Sequence, residues 1–219
     1  MRVTLSTGSE AELARPGGEP ASTAVVLWAD IFDLRPLFDR HAQRLADELG
    51  AVVVAPAIFP GSPDLGTDAR FAAAAALSDV DKLSDLDAAI DATGLDTAAT
   101  LGFCIGGMYA MKSLASSRVE RAVAFYGMIR MPEVFAGPGQ GDAIDVVRAR
   151  RPVPPLLGLY GTDDPFCPEH EIDELESVGA TVVRYPHAGH GWAQDPERDN
   201  YRPAEAADAW RRATDYLRG

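Results

Sequence analysis

Six short apolar runs recur along the chain: "AVVLW" (24–28), "AVVV" (51–54), "AATLGF" (98–103), "AVAFY" (122–126), "LLGLY" (156–160) and "TVVRY" (181–185). Most are apolar at successive positions rather than at alternate ones, the pattern of parallel strands covered on both faces. Helical spacing lies between them. Phe38, Ala42, Leu45 and Leu49 follow a 4-3-4 rhythm that stops at Gly50, a left-handed cap position. Val80, Leu83, Leu86 and Ile90 form a second stripe, opened by Ser78 with Asp81 and closed by Gly94, with the spacing of a capping box. Ala206, Trp210, Ala213 and Leu217 form a third, entered through Pro203. Strand–helix alternation of this kind predicts an α/β fold with a mostly parallel, doubly wound sheet and helices on both faces, in one domain over 1–219. Residues 1–22 read as an edge hairpin turning near Gly17 and Gly18. Two Gly- and Pro-rich segments, 56–74 and 127–155, break the rhythm and read as long loops that wall a site.

Composition narrows the class. The 219 residues are 47% hydrophobic and 24% charged, as in ordinary globular domains. The formal net charge is −13, which offers no field to attract phosphates and argues against nucleic-acid or anionic-membrane partners. The start has no apolar core of signal-peptide length and no stretch is long enough to span a bilayer, so the expected location is the cytoplasm. Thiols stay reduced there. The two cysteines, Cys104 and Cys167, form no C-x-x-C pair, so neither a disulfide nor a structural metal is expected. No cofactor is implied.

Chemistry enters at the strand ends, where open α/β sheets bind ligands. Asp30 stands two residues after Trp28, Cys104 directly after Phe103, Asp164 four after Tyr160 and His190 five after Tyr185. A thiol, an imidazole and two carboxylates thus open onto one edge of the predicted sheet. "GFCIGG" (102–107) has the nucleophile-elbow spacing with cysteine at its centre, and Gly102 and Gly106 remove the Cβ atoms that would collide across the turn. The following stretch reads as a helix whose N-terminus favours a thiolate. The order nucleophile, acid, histidine also fits that elbow. Cys104 as a small packed residue remains the plain alternative. Asp163 competes with Asp164 and His187 with His190. His41 and His170 read as exposed helix positions and Arg70 as a surface loop residue.

In "DIFDL", "LGFCIGG", "FYG", "GTDDPFCP" and "AGHGWAQD" the chain resembles the dienelactone hydrolase family of α/β-hydrolases, over about residues 24–217. The resemblance implies an α/β-hydrolase fold and a triad of Cys104, His190 and Asp164. It also implies an oxyanion hole from the backbone N–H groups of Ile31 and Ile105. Asp30, Phe71, Tyr126 and Trp192 fall near the implied pocket. Four positions depart from the family pattern. Its glutamate after the 24–28 run is Asp30. Its carboxylate-holding arginines are unmatched, Gln194 standing four after the histidine, and Thr67 and Phe71 standing on the helix side. The implied function is hydrolysis of small activated esters or lactones by a monomer or small homo-oligomer. The alternative is a non-catalytic small-molecule receptor that keeps the fold.

Overall fold

The computed structural model describes residues 1–18, 20–61, 65–150 and 152–219, and leaves the Thr67 side chain outside the description. Within the described residues the strands are β1 (Arg2–Thr4), β2 (Glu10–Ala14), β3 (Ala24–Trp28), β4 (Val52–Pro56), β5 (Ala98–Phe103), β6 (Val119–Phe125), β7 (Leu156–Gly161) and β8 (Thr181–Tyr185). They form one sheet in the order β1-β2-β4-β3-β5-β6-β7-β8. β1 runs antiparallel to β2 and β2 antiparallel to β4, while all other neighbours are parallel. Every residue of β3, β4, β5 and β7 is buried, which is why those runs lack polar alternation.

The helices are α1 (Pro36–Leu49), α2 (Thr67–Ala74), α3 (Asp79–Thr93), α4 (Ile105–Lys112), α5 (Ala143–Ala149), α6 (Glu169–Ser177) and α7 (Pro203–Arg218). α1 and α7 cover one face of the sheet, and α3 and α4 cover the other. Local chemistry sets their ends. Pro36 and Pro203 open α1 and α7 where the missing N–H costs nothing. Ser78 caps α3 by accepting the Asp81 N–H, and Gly50 and Gly94 end α1 and α3 at φ 63° and 82°, in the left-handed region that glycine tolerates.

Several expectations are revised. The N-terminal hairpin exists, but it turns at residues 5–9, where the Leu5 N–H donates to Ser9 O and the Gly8 N–H to Leu5 O. Gly17 and Gly18 belong to the connection leading to β3. Residues 56–74 contain α2, and 127–155 contain a 3-10 turn at Glu133–Phe135 and α5. The parts of those segments at 62–64 and 151, and position 19 of the opening segment, lie outside the described residues. Val80 is 73% exposed, so the α3 stripe begins at Leu83. α6, a charged helix with only Ile172 and Leu175 buried, carries too short a stripe to be read from spacing.

The sheet order reverses around β3: the chain leaves β3 for β4 on one side and later returns to β5 on the other. Loops after β3 and β5 therefore part above the sheet and leave a crevice at its carboxyl edge. Asp30 and Ile31 follow β3, and Cys104 follows β5.

Candidate active site

Cys104 has φ 58° and ψ −124°, a sparsely populated conformation for a residue with a Cβ. Its N–H donates to Phe125 O at 3.1 Å, and α4 begins at the next residue. Such a turn is possible because backbone passes where side chains would stand. A Cβ at Gly102 would lie 2.1 Å from Gly106 O, and one at Gly106 would lie 2.1 Å from Ala29 O. The elbow thus presses the first turn of α4 against the exit of β3. Ile105, first in α4, has an N–H with no intrahelical acceptor. The Ile31 N–H, in the loop after β3, also donates to no protein acceptor among the described residues.

Asp164 and His190 arrive from the ends of β7 and β8. Asp164 Oδ2 lies 2.8 Å from His190 Nδ1, and Asp164 Oδ1 accepts the Phe166 N–H at 2.9 Å. The Asp164 side chain is fully buried and that of His190 is 17% exposed. Asp163 and His187 are exposed and face each other at 3.6 Å, outside this cluster. His190 Nε2 is buried and without a hydrogen-bond partner among the described residues. Burial alone would lower the His190 pKa. The charge of Cys104, the hydrogen bond to Asp164, and contacts with the sulfurs of Cys104 and Cys167 outweigh it and hold the pKa well above its ordinary value. An imidazole biased this way holds a proton more firmly than a free one.

Cys104 and His190 line one cavity of about 220 Å³. Ile31, Phe32, Phe71, Met128, Phe135 and Phe166 give it an apolar wall, and Asp30, Gln194 and Arg198 supply the other polar groups. The volume is below the ~300–1,000 Å³ usual for drug-sized ligands, so it suits a small one. Tyr126 and Trp192 are fully buried behind this wall: the Tyr126 ring packs edge-on to His190 at 5.2 Å, and Trp192 packs on Tyr126 at 6.0 Å.

A family model described as the dienelactone hydrolase family matches residues 10–219. The chain belongs to the dienelactone hydrolase family. It is therefore, at that level, an ester- or lactone-cleaving hydrolase. It is 29% identical over 210 residues to a carboxymethylenebutenolidase of Rhodococcus opacus, covering 88% of this chain and 79% of that protein. A candidate carboxymethylenebutenolidase of Methylorubrum extorquens is 32% identical over 222 residues, with 92% of this chain and 73% of the relative covered. In fold, the chain is similar to a candidate dienelactone hydrolase from Klebsiella pneumoniae, with a TM-score of 0.87, 22% identity and coverage of 99% and 97% of the two chains. No described helix is long and apolar enough to cross a membrane.

In this dienelactone hydrolase family member the loop after β3 is held by a network that spacing alone does not show. Asp30 accepts two hydrogen bonds from Arg35, at 2.6 and 2.9 Å, and another from the Phe32 N–H at 2.9 Å. Gln194 Nε2 donates to Asp30 Oδ2 at 3.1 Å, while the Tyr126 hydroxyl donates to Gln194 Oε1. Burial keeps that phenol protonated, raising its pKa well above the ordinary value. Asp30 is thus tied into a buried chain running from Arg35 to Tyr126. Asp33, in a left-handed conformation, accepts the N–H groups of Leu34, Ile58 and Phe59 at 2.7–2.9 Å. Both carboxylates pin the loop that carries Ile31.

Two sequence expectations fail here. His41 is buried, not exposed: its ring lies 4.9 Å from Trp210 and 5.7 Å from Phe103, and Nε2 donates to Gln194 O at 2.8 Å. Arg70 is buried on α2, donating from Nε to Leu65 O at 2.9 Å and lying over the Phe59 ring. Arg198, unmarked by any motif, reaches the cavity wall and lies over the Phe32 ring at 5.1 Å. It stands eight residues after His190 in a stretch with no regular spacing, so no sequence signal pointed to it.

Proposed function

We propose that the chain hydrolyses small activated esters or lactones, enol lactones and enol or aryl esters foremost, through a thioester on Cys104. The observation that carries this reading is the cysteine on a strained strand-to-helix turn, sharing one small cavity with an imidazole that a buried carboxylate holds by Nδ1. Cys104 Sγ attacks the carbonyl carbon while its proton resides on His190 Nε2. Asp164 fixes the ring tautomer and offsets the imidazolium charge. The Ile31 and Ile105 N–H groups receive the developing oxyanion, an interaction worth about 10²–10³ in rate per donor. His190 then protonates the departing oxygen, and water attacks the thioester with the same imidazole as base.

Sulfur explains the preference. A thiol ionises near pH 8.5, so thiolate leaves a tetrahedral intermediate more readily than a simple alkoxide does. The intermediate collapses forward only when the departing oxygen is itself stabilised, as an enolate or aryl oxide is. The apolar wall suits an unsaturated or aromatic body, and Arg198 brings a guanidinium within reach of an anionic substituent. The carboxymethylenebutenolidase named among the relatives fits this substrate class.

The test is hydrolysis of an aryl acetate and an enol lactone by the wild type and by Cys104→Ala, with intact mass recorded after substrate addition. Expected are turnover that falls at least about 10³-fold in the variant and an acyl adduct on the wild type alone. Ligand binding without turnover or adduct on either protein would replace this reading with that of a small-molecule receptor.

A further inference from the structure

The reaction proposed above has no use for the Cys167 thiol. Cys167 is 1% exposed, donates from Sγ to Gly127 O at 3.6 Å, and lies against His190. One ligand-type atom from each of Asp164, Cys167 and His190 lies within 4.8 Å of the other two. Two ligands of a tetrahedral zinc ion, each ~2.0–2.3 Å from the metal, stand roughly 3.5 Å apart, so the imidazole and the Cys167 sulfur have to close by no more than about 1.3 Å. The donor types are the right ones. Nδ1 of His190 is engaged by Asp164, whereas Nε2 is buried and has no hydrogen-bond partner among the described residues. A carboxylate behind an imidazole whose far nitrogen faces a thiol is the arrangement that orients metal-binding histidines and raises their basicity. The cavity reaches His190 and can supply water to the remaining coordination positions.

We propose that Zn²⁺, or a thiophilic dication like it, binds reversibly between His190 Nε2 and Cys167 Sγ, with Asp164 holding the imidazole from behind. On binding, the Cys167 S–H bond breaks, a Zn–S bond forms and the proton leaves to solvent. An imidazolium also gives up its Nε2 proton. Nothing is oxidised or reduced. With two protein ligands, affinity falls below that of structural sites with four. The bound metal occupies the nitrogen that must otherwise accept the thiol proton of Cys104, so it stops hydrolysis. That consequence alone rests on the proposed reaction; the binding does not.

The test uses the full chain with reduced thiols and is read without substrate. Co²⁺ is titrated into the metal-free protein while the thiolate-to-cobalt absorption band is followed, and Zn²⁺ is then added as competitor. Wild type and Cys104→Ala are expected to develop the band at one equivalent and lose it to Zn²⁺. Cys167→Val is expected to lack the band and bind at least about tenfold more weakly. Circular dichroism checks the fold, and Cys167→Ser serves if valine does not pack. A Cys167→Val protein that binds as tightly as the wild type, or a wild type with no band, overturns the proposal. Ester hydrolysis measured in parallel, relative to each protein's own metal-free rate, should be inhibited by Zn²⁺ and restored by a chelator in the wild type. Absence of hydrolysis from the metal-free wild type would sink the proposed reaction, while the cobalt band would still decide the metal site.

Discussion

His41 sits on the buried face of α1 with its ring among Phe38, Phe103 and Trp210, and its Nε2–H bonded to the backbone of Gln194. Burial lowers its pKa to about 4, the hydrogen bond to Gln194 opposing only part of that effect. An unfolded chain holds the same group near 6.5. Between those two values the unfolded state binds more protons, so this residue's stabilisation is complete above about pH 6.5 and is lost as pH falls toward 4. The shift corresponds to about 3 kcal/mol in all, and to about 2 kcal/mol at pH 5. Urea unfolding at pH 7.5 and pH 5 should therefore show a drop about 2 kcal/mol smaller for His41→Phe than for the wild type. Equal drops would mean that His41 does not stay neutral in the folded protein. The position was in principle legible. Residues 38, 41, 42 and 45 share one face of a helix, and a polar residue type obscured what the spacing implied. Arg70, beside Phe71, was obscured in the same way.

At the scale of elements, the meeting of β3, β5 and α4 depends on two backbones touching. A Cβ at Gly106 would stand 2.1 Å from Ala29 O and 2.4 Å from Trp28 O, and neither oxygen belongs to a side chain that can turn aside. Gly106→Ala should cost more than about 4 kcal/mol or prevent folding, in the range reserved for severe overpacking and strain. Gly94 provides the contrast. It ends α3 at φ 82° with open space where a Cβ would go, so Gly94→Ala should cost only about 1 kcal/mol. Urea midpoints of both variants decide this, and a Gly106→Ala protein as stable as the wild type would refute the close approach. The glycine spacing that permits the elbow was readable, as were the central strands, because burial on both faces leaves unbroken apolar runs. Pieces whose stability is borrowed were not. α2 and α5 lie inside Gly- and Pro-rich stretches and are held by contacts such as Gln140 with Ala74 O and Arg130 with Asp142. The N-terminal turn is set by bonds between Leu5, Gly8 and Ser9 rather than by a Gly-Gly pair. Among site groups, those next to strand ends could be found, whereas Asp33, His41 and Arg198 gain their places only when distant segments pack.

Over the whole molecule, the net charge of −13 acts on any anionic substrate before a local contact does. Treated as a uniformly charged sphere about 22 Å in radius, the protein repels a unit negative charge at its surface by roughly 1.4 kcal/mol at 0.01 M salt and by about 0.7 kcal/mol at 0.15 M. Screening should therefore raise kcat/KM for a carboxylate-bearing aryl acetate about threefold over that range, while a matched neutral aryl acetate changes little. Arg198 opposes the global field from the cavity wall, and its attraction weakens with the same salt. Removing it should steepen the rise, so Arg198→Met is expected to show a larger salt response for the anionic ester and an unchanged one for the neutral ester. A fall in kcat/KM with added salt in the wild type would mean that the local guanidinium outweighs the field of the whole protein. Comparing both esters with both proteins separates the two contributions, because only the anionic ester feels either one.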